Sequence, residues 1–83
     1  MRIFVGNLKP DTTSERLVEE FSVFGQVTSG EVVKDRYSGE SKGFGFVEMP
    51  AKAEARAAIS ALNLKEINGR AMTVNEARAR AGR

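Results

Sequence analysis

Residues Lys42 to Met49 read Lys-Gly-Phe-Gly-Phe-Val-Glu-Met, and they restrict the fold more than any other stretch of the chain. They alternate with a period of two, the spacing of a strand whose successive side chains point to opposite faces. Phe44, Phe46 and Glu48 then share one face, and Gly45, Val47 and Met49 share the other. Two phenylalanines beside a glutamate, with Lys42 at the entry, make a poor buried surface. They make a good docking surface for something flat and anionic.

The flanking sequence supplies partners for this strand. Arg2 to Leu8 is β-branched and aromatic and ends in turn chemistry at Lys9-Pro10-Asp11, which predicts a first strand. With Ile3 and Val5 facing a core, Phe4 faces the other way. Thr12 and Glu15 have capping-box spacing, and Leu17, Phe21 and Phe24 follow at i, i+4 and i+7, predicting a helix from about Thr13 to Phe24 with Gly25 as a left-handed cap. Phe21 and Phe24 read as core residues. A second strand spans Val27 to Asp35, with Val32 inward and with Glu31 and Val33 on the side of the outward phenylalanines. Its Gly30 marks either close helix packing or a bulge. Residues 36–41 make a hairpin connection into Lys42.

After Pro50 the composition shifts to alanine and charge. Ala55, Ala58, Ile59 and Leu62 define a second amphipathic helix ending at about Leu62, without an evident N-cap. Residues 63–70 read as a connection containing an Asn-Gly turn at Asn68-Gly69, followed by a last strand from Ala71 to Glu76. Met72 and Val74 lie on one side of it, and Thr73 and Asn75 on the other. Residues 1–77 thus form one domain, and residues 78–83 a basic tail expected to fray.

The order strand, helix, strand, strand, helix, strand is a ferredoxin-like α+β sandwich, βαββαβ. Right-handed crossovers place both helices on one face of a four-stranded antiparallel sheet. The other face has no element left to cover it, yet it carries Phe4, Phe44 and Phe46. An apolar patch of that kind on a small domain marks an interaction site. The tail, a second copy of the chain or a partner protein are competing covers for it.

Composition narrows the function. The 83 residues include neither cysteine nor histidine, which removes disulfides, the usual zinc sites and the commonest acid/base catalyst. No enzyme, metal or cofactor is expected. No apolar run reaches the length of a membrane span and no signal-peptide pattern opens the chain, so a cytoplasmic protein without membrane contact is expected. Met1 directly before the first strand reads as a natural start. Net charge is +2. Arg78, Arg80 and Arg83 carry three positive charges, leaving residues 1–76 with 10 basic against 11 acidic side chains. The body is nearly neutral and the tail is basic, so the overall charge is weak evidence for nucleic acid.

The chain resembles the RNA-recognition motif family from Arg2 to about Ala77. Lys42-Gly43-Phe44-Gly45-Phe46-Val47-Glu48 follows the family's octamer signature, with Met49 in place of its final aromatic. Ile3-Phe4-Val5-Gly6-Asn7-Leu8 follows the hexamer signature of the first strand. The ending Thr73 to Ala77 is similar to that of small single-domain bacterial RNA-binding proteins and of glycine-rich RNA-binding proteins.

This resemblance implies that Phe4 and Phe46 stack on bases, that Phe44 packs on sugars between them, and that Lys42 pairs with a phosphate. The implied partner is single-stranded RNA, with single-stranded DNA as a second candidate, bound by a monomer. Asn75, Thr73 and the main chain of Glu76 and Ala77 are the candidate base-edge readers. Asn7 is expected to bond its own local backbone in the turn. Arg2, Lys9, Lys34, Arg36, Arg78 and Arg80 are phosphate candidates by position, each with a plain solvated charge as its competing reading. Met49 is expected in the core. Glu31 and Glu48 lie on the binding face and repel phosphate, which points to weak binding or to base-edge contacts. A module that holds a peptide or another subunit on the same sheet face is the alternative function, favoured by the neutral body.

Overall fold

The computed structural model describes residues 1–39, 41–67 and 69–77. Its elements are β1 (Arg2–Gly6), α1 (Ser14–Ser22), β2 (Ser29–Lys34), β3 (Ser41–Glu48), α2 (Lys52–Leu62), β4 (Glu66–Ile67), β5 (Arg70–Ala71) and β6 (Thr73–Glu76). The main sheet is antiparallel in the order β2-β3-β1-β6, and β4 and β5 form a separate small hairpin. This is the expected ferredoxin-like sandwich.

Strand alternation builds the core. Ile3, Val5, Val32, Val47 and Val74 point to one face, where they meet Leu17 and Phe21 of α1 and Ala55, Ala58 and Leu62 of α2. Met49 and Met72, just outside the strands, are fully buried with them. Phe24 and Ile59 pack at the margin, partly buried. Burial of these side chains contributes roughly 1.5–3 kcal/mol for each large one. Both helices are thereby committed to the same side.

Several boundaries differ from the sequence expectation, each for a local reason. Thr13, not Thr12, caps α1, its Oγ1 accepting from the Arg16 amide at 3.1 Å. Thr12 is buried instead, 4% exposed. The helix ends at Ser22 with Val23 as its cap in helical geometry, so Gly25 is not the cap. A Cβ at Gly25 would strike the Glu54 side chain, whose Oε1 accepts from the Gln26 amide at 3.2 Å. Gly25 thus lets the start of α2 approach the exit of α1. At Gly30, a Cβ would lie 2.7 Å from Val18 Cγ2. Close helix packing explains that glycine, and the strand irregularity falls elsewhere, between Val32 and Lys34.

The connection after α2 is more ordered than its sequence suggests. Glu66 pairs with Ala71 and Ile67 with Arg70, flanking a turn that holds Gly69 at φ 85°; Asn68 lies outside the described residues. Ala71 therefore belongs to the hairpin, and the last sheet strand begins at Thr73. Leu64, at φ 69°, donates its amide to the Met72 carbonyl at 2.7 Å. Asn63 is the C-cap residue of α2, and its side chain accepts from the Val74 amide at 3.0 Å.

Glu20 ties α1 to the residue before this hairpin, meeting Lys65 Nζ and Arg16 Nε at 3.0 Å each. Burial pushes the Glu20 carboxyl up, but Lys65 and Arg16 together outweigh it and hold the group below its ordinary value of 4.5. A carboxyl depressed by folding adds stability above its ordinary value, and that stability is lost as pH falls through the folded value. Glu20→Gln should therefore flatten the acid limb of the stability curve below pH 4.5 and cost less than about 1 kcal/mol at pH 7, since both cations are half exposed and screened. Urea melts across pH 2.5–7 check this; an unchanged acid limb contradicts it.

Candidate nucleic-acid interface

The strand residues opposite the core form three rows across the sheet. In the central row Glu31, Phe46, Phe4 and Asn75 stand side by side, one from each of β2, β3, β1 and β6. Ser29, Glu48 and Arg2 make the row on one side. Phe44, Gly6 and Thr73 lie on the other, with Gly6 paired to Thr73.

The three rings pack against one another. Phe4 lies 5.8 Å from both Phe44 and Phe46, and Phe44 lies 6.1 Å from Phe46, with two of the three pairs edge to face. Such pairs contribute about 0.5–1.5 kcal/mol each beyond their buried area. The rings are half-buried by this mutual shielding, so they are less bare than alternation alone predicts. Phe4 leans over Gly6, where a Cβ would come within 2.8 Å of its ring. The Arg2 guanidinium lies over the Phe46 ring, 4.6 Å from its centroid, in cation–π contact.

Two glycines shape β3. Between the pairs Val32–Gly45 and Lys34–Ser41, three residues of β3 oppose one of β2. Gly43 sits in this irregularity at φ 86°, its carbonyl accepting from the Leu8 amide at 2.8 Å. At Gly45 the β2 backbone comes so close that a Cβ would strike the Glu31 carbonyl and lie 3.0 Å from Val32 Cα.

Polar neighbours divide into engaged and free. Asn7, at φ 59°, donates its side-chain amide to the Ala71 carbonyl at 2.7 Å; it organises the end of β1, but through a residue far along the chain and not its local backbone. Glu48 meets the Met1 amino group at 3.2 Å. Glu31 and Asn75 are exposed, and among the described residues no hydrogen bond or ion pair engages their side chains. Lys34 and Arg36 are exposed at the far end of β2 and in the turn beyond it, and Lys9 is half-buried after β1. Arg78 and Arg80 lie outside the described residues, as does the Lys42 side chain.

Sequence reasoning missed Tyr37. It is 90% exposed in a turn that Asp35 organises by accepting from the Tyr37 and Ser38 amides at 2.8 and 3.1 Å. An aromatic among charged turn residues was its only signal. Among the described residues no group of acidic side chains is placed to hold a metal ion.

A paired aromatic signature on the two central strands, facing away from both helices, is matched by the family model described as RNA recognition motif over residues 3–73. The chain belongs to the RNA recognition motif family. The family binds RNA and is not enzymatic. Glycine-rich RNA-binding protein 1 of Mycosarcoma maydis is 49% identical over 79 residues, 95% of this chain and 45% of that protein. The 28 kDa chloroplastic ribonucleoprotein of Spinacia oleracea is 46% identical over 82 residues, 99% of this chain and 35% of that protein. The chain thus spans less than half the length of these curated relatives. Among solved structures, RNA Binding Protein PG1 superposes with a TM-score of 0.92 at 45% identity, covering 96% of both chains.

Proposed function

We propose that this RNA recognition motif binds single-stranded RNA by stacking successive bases on Phe4 and Phe46, with Phe44 against the sugars between them. The observation that carries the reading is the cluster of three rings, 5.8–6.1 Å apart, on the sheet face that both helices leave open. Unstacked bases offer flat faces to such rings, and each stack is worth about 1–3 kcal/mol. A base arriving on Phe46 takes over the ring face that Arg2 now covers and releases the guanidinium for a phosphate. Lys42, Lys34, Arg36, Arg78 and Arg80 supply the remaining phosphate contacts, and Asn75, beside Phe4, reads a base edge. The protein acts as a monomer, in the cytoplasm.

Titration of the 15N-labelled chain with short single-stranded RNA tests this, with the same sequence as DNA and as duplex RNA for comparison. Amide shifts should concentrate at Phe4, Phe44, Phe46 and Asn75 and be weak with duplex, whose bases are already stacked. Shifts confined to the helices, or none with any oligomer, would refute the reading and favour a peptide or subunit on this face.

A further inference from the structure

We infer that Glu31 selects the base that stacks on Phe46, favouring guanine and rejecting uracil. The inference rests on the stacking reading above and adds the chemistry of one subsite to it. Phe46 is hemmed in on most sides: Phe4 at 5.8 Å on the β1 side, Phe44 at 6.1 Å along its own strand, and Arg2 at 4.6 Å over the ring. The flank left is the β2 side, and there Glu31 stands directly opposite Phe46 in register. Directly opposed residues carry their Cβ atoms about 4.5–5.5 Å apart, so the carboxylate borders whatever lies on the ring. Val32 is buried, 6% exposed, which turns Glu31 onto the aromatic face.

Glu31 is also uncommitted. Glu48 on the neighbouring row is engaged by the Met1 amino group at 3.2 Å, and Glu20 on the helix side holds two cations. Among the described residues, no hydrogen bond or ion pair engages the Glu31 side chain. An ionised carboxylate only accepts hydrogen bonds, and its two oxygens accept a pair of adjacent donors. Guanine presents that pair on its Watson–Crick edge, N1–H and the N2 amino group. Cytosine and adenine offer a single amino group, and uracil one N–H between two carbonyl oxygens that a carboxylate repels. The order of preference at this position is therefore guanine, then cytosine and adenine, then uracil.

The test uses fluorescein-labelled UUUXUUU RNA heptamers with X as uridine, guanosine, inosine, adenosine or cytidine, titrated by anisotropy at fixed salt into the wild type, Glu31→Gln and Glu31→Ala. Inosine keeps N1–H but lacks the N2 amino group, and adenosine controls for purine stacking. The wild type should bind the guanosine heptamer at least about fivefold more tightly than the uridine one, a bidentate contact being worth roughly five- to 150-fold, with inosine between them. In both variants the preference should shrink to within about twofold of that for adenosine, while the all-uridine affinity holds or rises because a negative charge has gone. Equal wild-type binding of guanosine and uridine heptamers, or a preference that survives both substitutions, overturns the role of Glu31 and leaves stacking intact. Failure of the wild type to bind any heptamer overturns the stacking reading and this inference with it. Retained all-uridine affinity in the variants shows that they are folded.

Discussion

Replacing Phe4 and Phe46 together by alanine is expected to weaken single-stranded RNA binding at least thirtyfold. Each lost stack costs about 1–3 kcal/mol, and the two rings meet different bases. Because the rings also touch each other, at 5.8 Å, a coupling contribution accompanies the two losses, and thirtyfold corresponds to about 2 kcal/mol in all. The substitution also has a structural cost. Phe4 contacts both other rings at 5.8 Å, and Phe46 carries the Arg2 guanidinium at 4.6 Å. All of these contacts disappear, and a loss of about 1–3 kcal/mol of stability follows from aromatic pairing of this kind. A domain of this size then melts roughly 5–20 °C lower, at about 4–8 °C per kcal/mol.

Leucine separates the two effects. Phe4→Leu with Phe46→Leu keeps apolar volume over Gly6 and beside Arg2, so most of the stability remains, but it removes the flat π faces. RNA affinity should fall nearly as far as with alanine while the melting temperature recovers by half or more. Anisotropy titrations below the melting point of each variant, together with thermal scans, check both limbs. An alanine double variant that binds within threefold of wild type would end the stacking reading.

The aromatic face is legible in the sequence because a period of two sorts side chains without knowledge of what lies across the sheet. Ile3 and Val5 commit Phe4 outward, and Val47 and Met49 do the same for Phe44 and Phe46. Features that depend on distant residues are not legible in this way. Asn7 has turn chemistry, but its partner is the Ala71 carbonyl, 64 positions on. Thr12 and Thr13 are interchangeable as caps until burial claims one of them. The β4 and β5 strands are two residues each, too short for any periodicity, and the carbonyl and amide groups that zip Lys65 to Met72 carry no sequence mark. Whether an outward ring is bare or shielded also depends on its neighbours: Phe44 and Phe46 sit on one strand, but the third ring and the Arg2 guanidinium arrive from β1. Gly45 is the same kind of case, since a glycine in a strand signals close approach without naming what approaches.

At Gly45 the approaching group is backbone, and the consequence for stability is large. A methyl group there meets the Glu31 carbonyl and, at 3.0 Å, Val32 Cα, and neither can swing aside as a side chain would. β2 has to move away from β3, which disturbs the Glu31–Phe46 and Val32–Gly45 pairs and lifts Val32 from the core. Overpacking of this kind costs typically 1–3 kcal/mol and sometimes more, and a rigid backbone neighbour in place of a movable side chain puts Gly45→Ala at about 3 kcal/mol. That is a large part of the roughly 4–12 kcal/mol available to a chain of this length, and it lowers the melting temperature by about 12–24 °C. Gly39→Ala provides the contrast. Gly39 has φ 78° and nothing within 4 Å of a built Cβ, so only backbone strain of about 1 kcal/mol opposes the change. Thermal and urea melts of the two variants should differ severalfold in their effect. If Gly45→Ala melts within about 3 °C of wild type, the two strands have room that the close approach denies, and the second glycine of Gly-Phe-Gly-Phe needs a reason other than the fit of β2 against β3.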